Sequence, residues 1–102
     1  MDVEGGYNYD NARVIHYPCH NGPNQKFVYN KKNKHIIAKS SRKCLDINKH
    51  KKIIQKTCSL KKKSQKWTRK KNKWMSLVNK KCIAVPEENL DFGQLVIQNC
   101  KK

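Results

Sequence analysis

The chain has 102 residues, 36% of them hydrophobic and 30% charged, with a formal net charge of +17. That length holds one domain with a small core, which two or three disulfides drawn from the five cysteines would reinforce. No apolar run approaches the roughly 18 residues that span a membrane, and the acidic start Met1–Gly6 lacks the apolar stretch of a signal peptide. A secreted form would have had its signal removed or carried upstream.

The charge is unevenly placed. Residues 1–30 hold two basic and three acidic side chains, and residues 82–102 hold the same numbers. Residues 31–81 hold twenty basic side chains against one acidic, Asp46. A solvated basic face, of the kind an AT-rich coding sequence produces, and a selected polyanion site both account for this middle.

In chain order the elements read as short strands bounded by turns. Met1-Asp2-Val3 opens the chain and leads into the loop Gly5-Gly6-Tyr7-Asn8-Tyr9-Asp10. An apolar strand, Val14 to Cys19, then meets the turn Asn21-Gly22-Pro23-Asn24 and Gln25-Lys26-Phe27. Strands are expected over Lys26–Tyr29, His35–Ala38 and Ile53–Cys58, with the triplet Cys44-Leu45-Asp46-Ile47 before the last of these, followed by Gln65-Lys66-Trp67 and a strand over Lys73–Val78. Cys82-Ile83-Ala84-Val85, a turn at Glu87-Glu88-Asn89 and the strand Leu95–Cys100 complete the chain. None of these segments has a 3.6-residue periodicity that would make it a helix.

Three marks recur in one order. They are a hydrophobic-Asp-hydrophobic triplet (Ala84 replacing Asp in the third), a strand ending in Cys, and Gln-Lys-aromatic. The strand-ending cysteines stand at 19, 58 and 100 and the glutamines at 25 and 65, so the period is close to forty. Short strands at such regular spacing predict an all-β fold closed on itself, without exposed edges.

Cys-Leu-Asp-Ile, strand-Cys and Gln-x-Trp in this order resemble the ricin-B-type lectin repeat. Tyr17-Pro18-Cys19-His20-Asn21-Gly22-Pro23-Asn24-Gln25-Lys26-Phe27 is similar to the lectin domain attached to polypeptide N-acetylgalactosaminyltransferases. The resemblance implies a β-trefoil over 1–102, with repeats at 1–42, 43–80 and 81–102. It would be incomplete at the termini. The family's first cysteine would fall just before Met1, and the third repeat reaches Cys100 without a Gln-x-Trp. The resemblance also implies the pairs Cys44–Cys58 and Cys82–Cys100, leaving Cys19 over. Each bridge would close a loop of about fifteen residues, worth roughly 3 kcal/mol.

By the same resemblance a sugar is held by the triplet Asp, by an aromatic two residues before the strand-ending Cys, and by the Asn before Gln-x-aromatic. The chemistry is apt, because an ionised Asp accepts paired hydroxyls and an aromatic ring takes the sugar's C–H face. The first repeat offers Asp2, Tyr17 and Asn24, with Gln25 supporting the Asp and His20 as an additional hydroxyl partner. Tyr7 and Tyr9 are candidates for walls of that pocket. The second repeat keeps Asp46 but has Lys56 and Ser64 in the other places, and the third has Ala84 and Gln98. The expected ligand is a glycan containing galactose or N-acetylgalactosamine, and the expected location secreted or lumenal.

The alternative is a polyanion binder, for heparin-like glycan, RNA or anionic membrane. It would use Lys61, Lys62, Lys63, Arg69, Lys70 and Lys71, with Trp74 either stacking on a base or buried. Catalysis needs converging groups, whereas the seven carboxylates are scattered, so no enzymatic activity is expected. Without Cys-x-x-Cys or a Cys/His cluster at ligand spacing, no metal or other cofactor is expected. His16, His35 and His50 read as exposed strand or loop residues.

Overall fold

The computed structural model describes residues 1–16, 22, 25–86 and 93–100. The strands among them are β1 (Asp2–Val3), β2 (Val14–Ile15), β3 (Phe27–Asn30), β4 (His35–Ala38), β5 (Cys44–Ile47), β6 (Ile53–Lys56), β7 (Trp67–Lys70), β8 (Lys73–Ser76), β9 (Cys82–Ala84) and β10 (Val96–Gln98). Single 3-10 turns stand at Glu4–Gly6 and Lys63–Gln65.

Two four-stranded antiparallel ribbons, β3-β4-β5-β6 and β7-β8-β9-β10, follow one plan, and β1-β2 repeats its last hairpin. The registers coincide. Phe27 faces Ala38 as Trp67 faces Ser76, and Ile37 faces Cys44 as Met75 faces Cys82. Opposite the middle residue of each triplet stands a β-branched side chain: Ile15 opposite Asp2, Ile54 opposite Asp46, Val96 opposite Ala84. Branched residues pack well on a pleated, half-buried surface, which fixes the register three times over.

The hairpins meet through Val14, Ile53 and Leu95. Ile53 N–H donates to Leu95 O at 2.9 Å, and Leu95 N–H donates to Val14 O at 2.9 Å. These three share one buried cluster with Ile36, Leu45, Trp67 and Ile97. Trp67 is its largest member, and its indole Nε1 donates to Leu45 O at 3.1 Å, satisfying the one polar atom the ring brings inside. Repeats arranged in this way about a common core make the fold a β-trefoil.

The turns repeat as well. Ala38 N–H donates to Lys43 O and Ser76 N–H to Lys81 O, closing the β4–β5 and β8–β9 connections alike. Inside them Arg42 (φ 61°) and Lys80 (φ 62°) take the left-handed conformation. The residue before each supplies a side-chain acceptor two positions on, Ser41 Oγ for Lys43 N–H at 3.2 Å and Asn79 Oδ1 for Lys81 N–H at 3.0 Å. The turn at 77–80 also ends β8 at Ser76, short of the Val78 expected from the apolar run. β6 likewise stops at Lys56, because Thr57 N–H leaves the ladder for Asp10 Oδ1 at 2.8 Å.

Both disulfides that the resemblance implies are formed, Cys44–Cys58 and Cys82–Cys100, each with Cα atoms 5.0 Å apart. Cys19 lies outside the described residues, as do the expected turn at 87–89 and all of 21–24 except Gly22. His35 corrects the expectation of an exposed residue, for it is only 2% exposed. It opens β4 beside the Cys44–Cys58 bridge, its ring nitrogen and both sulfurs lying within 4.8 Å of one another. Sulfurs bonded to each other offer no thiolates, so this grouping is not a metal site.

His35 carries a pH dependence. Burial, helped by the charge of Lys66, pulls its pKa below the ordinary 6.5. The unfolded chain therefore takes up a proton near pH 6.5 that the folded chain refuses. Stability from this residue is complete above pH 6.5 and declines as the pH falls toward the folded value. The urea midpoint is expected to drop between pH 7.5 and pH 5, and a His35→Gln variant to lose most of that slope. An unchanged slope in the variant would assign the effect to other groups.

Candidate functional site

The triplet Asp of the first repeat, Asp2, is 2% exposed in β1, and Gln25 Nε2 donates to its Oδ2 at 2.9 Å. In the second repeat Gln65 Nε2 donates to Asp46 Oδ2 at 3.1 Å. The Gln of Gln-x-aromatic thus grips the triplet carboxylate in both repeats, across 23 and 19 residues of chain. Ala84 ends the correspondence in the third.

Further groups reach Asp46. Asp46 Oδ2 also pairs with Lys62 Nζ at 3.0 Å, and its Oδ1 accepts Ile47 N–H at 2.7 Å. Burial works to raise the Asp46 pKa, but bonds from Ser64, Lys62, Ile47 N–H and Gln65 outweigh it and hold the carboxyl below the usual range. Lys62 and Gln65 thus share one carboxylate oxygen, and Ser64, in the Asn place, also bonds to the carboxyl.

Of the other residues expected at the first-repeat site, Tyr17, His20 and Asn24 lie outside the described residues. Tyr7 and Tyr9 are exposed, with rings stacked at 5.1 Å between centroids. Their loop is tied to β6. Gln55 Nε2 donates to the carbonyls of both, at 2.9 and 3.0 Å, and Asp10 Oδ1 accepts Thr57 Oγ1 at 2.9 Å. The loop's anchors are thus in the second repeat. Gly5 is required here, since at φ 65° a Cβ would stand 2.7 Å from the Tyr7 ring.

Gln55, fully buried, is the functional scaffold residue that sequence reasoning passed over. Its oxygen accepts from Ser41 Oγ at 2.7 Å, so one side chain joins three segments.

Two hollows lie at the other repeats. One, of about 470 Å³, is lined by Arg13, Asp46, Lys49, His50, Lys56 and Lys62 among others. The second, of about 560 Å³, is lined by Met1, Trp74, Ile83, Val85, Leu95 and Gln98 among others. The basic runs stand apart from one another in the chain's architecture. Lys61, Lys62 and Lys63 lie in the β6–β7 connection, and Arg69, Lys70 and Lys71 at the β7–β8 hairpin end, all exposed. Trp74 is half-buried between Tyr29, 4.7 Å away between ring centroids, and the Arg69 guanidinium at 5.0 Å.

A trefoil with an Asp–Gln clamp in two of its three repeats has the frame of a carbohydrate-binding module. The model of the ricin-type β-trefoil lectin domain matches residues 1–102, and the chain belongs to that family. In structure it is similar to the designed threefold-symmetric protein ThreeFoil, with TM-score 0.85 and 22% identity over 99% of this chain and 81% of that one. It is similar to the C-half of the earthworm R-type lectin solved with GalNAc, with TM-score 0.85 and 15% identity over 98% and 79%. The β-trefoil lectin of the Vibrio vulnificus hemolysin/cytolysin, solved with N-acetyl-D-lactosamine, gives TM-score 0.72 and 21% identity over 99% and 87%. No curated protein matches the chain in sequence.

Proposed function

We propose that this chain is a single, non-catalytic lectin domain that binds a galactose- or N-acetylgalactosamine-type sugar in its first repeat. The observation that carries the reading is the Asp2–Gln25 hydrogen bond, which orients the carboxylate as Gln65 orients Asp46. Asp2 accepts a pair of sugar hydroxyls, Tyr17 covers the C–H face, and Asn24 and His20 add polar contacts. The ligands of the earthworm and Vibrio neighbours are of this sugar class. Two disulfides agree with a secreted or lumenal place of work.

Calorimetric titration with galactose and N-acetylgalactosamine in about 0.3 M salt, which screens the lysines, tests this. Saturable heat from the wild type is expected, and none from a folded Asp2→Ala variant. Silence from both sugars, with heparin or RNA binding that collapses in the same salt, would overturn it in favour of the exposed runs at 61–63 and 69–71.

A further inference from the structure

We propose that the cleft of the second repeat is a separate site for a sugar bearing an anionic ester, sulfate or phosphate. The hollow of about 470 Å³ there is lined by four full cations, Arg13, Lys49, Lys56 and Lys62, and by His50. The carboxylate in its wall, Asp46, is already engaged by Lys62, Gln65 and the Ile47 N–H. Arg13 also meets Glu4 Oε1 at 3.2 Å. The cleft therefore offers donors and positive charge. A neutral sugar finds its hydroxyl acceptor taken, whereas an ester oxygen finds several N–H donors within one hollow.

The basic lining is built into the fold. Asn48 Oδ1 accepts the N–H groups of His50 at 2.9 Å and Lys52 at 3.0 Å, folding the 48–52 turn that brings Lys49 and His50 to the rim. Lys56 stands in β6 at the place an aromatic would hold, and its Nζ donates to Asn11 Oδ1 at 3.2 Å. That neutral partner orients the ammonium without cancelling its charge. The polar residues needed for the sugar ring, Asn11, Asn48 and Gln94, line the same hollow. A pocket of this size suits a small molecule, whereas a polymeric polyanion needs a groove that tracks its backbone.

The test is a titration of the whole chain with galactose 6-sulfate, galactose 6-phosphate, galactose and inorganic sulfate. Wild type is set beside Lys49→Gln/Lys56→Gln and Lys70→Gln/Lys71→Gln. In an Asp2→Ala background, which removes the first-repeat site, the ester sugars should bind once, with affinity that falls about tenfold or more when the 49/56 changes are added and changes less than about twofold with the 70/71 changes. Which ester binds tighter decides between the two sources. Equal losses in both variants would overturn the site in favour of a diffuse basic face. So would inorganic sulfate binding as tightly as the ester sugars, or no ester binding at all. Neutral-sugar heat lost in Asp2→Ala reports the other cleft, so either proposal can fail alone.

Discussion

Replacing Trp67 with alanine is expected to unfold the chain at room temperature. The side chain is 0% exposed and packs at the centre of the one cluster to which all three hairpins contribute. Its removal costs about 3–5 kcal/mol, much of the roughly 5–10 kcal/mol such a domain has. Further losses follow. Leu45 O would lose the indole donor at 3.1 Å, and the backbone bonds at Trp67, from Tyr29 OH at 2.7 Å and to Lys34 O at 2.8 Å, would lose their rigid footing. Far-UV circular dichroism with a urea titration measures this. Trp67→Phe, which copies Phe27 of the first repeat, should fold with a midpoint lowered by a smaller amount. An alanine variant with a near wild-type midpoint would show that the core lies elsewhere.

Loss of the two disulfides is the second large effect. Cys44–Cys58 joins residues 14 apart and Cys82–Cys100 residues 18 apart, so each constrains the unfolded chain by about 3 kcal/mol. Both bridges span the two strands of one hairpin, where the paired strands themselves are only three or four residues long. Short ladders hold little by themselves, which makes the covalent closure matter more. The expected result is a urea midpoint that falls sharply for Cys44→Ser/Cys58→Ser and again for the fourfold serine variant, which should not fold. Reductant should reproduce the fourfold variant. A fourfold variant with a cooperative transition near the wild-type midpoint would refute the argument.

Much of the fold was legible because its marks are local and buried. Cys44-Leu45-Asp46-Ile47 and Gln65-Lys66-Trp67 are short strings in which Cys44, Leu45, Asp46, Gln65 and Trp67 are all buried, and the spacing near forty residues exposes the repetition. The Asp–Gln clamp was legible only as a relation between repeats. Lys62 was not. In sequence it is the middle of a basic run, and only the 3-10 turn at 63–65 shows that it reaches Asp46. Gln55 and the loop at 7–11 were hidden for another reason. Their bonds join residues 46 and 48 apart, and no local pattern encodes such a pairing. His35 was read as exposed, whereas the fold buries it beside the Cys44–Cys58 bridge, a contact that no local pattern encodes.

The paired turns at Arg42 and Lys80 have a consequence for evolution and engineering. Glycine or asparagine accepts φ near +60° at little cost, whereas a side chain with a longer stem pays roughly 1–2 kcal/mol there. Both turns nevertheless keep the same conformation with different residues, Ser-Arg-Lys in one and Asn-Lys-Lys in the other. The backbone path is therefore dictated by the strands it joins rather than by the residue at its left-handed position. Two positions of strained arginine and lysine form an undrawn reserve of thermal tolerance, open to a change that would also shed two positive charges.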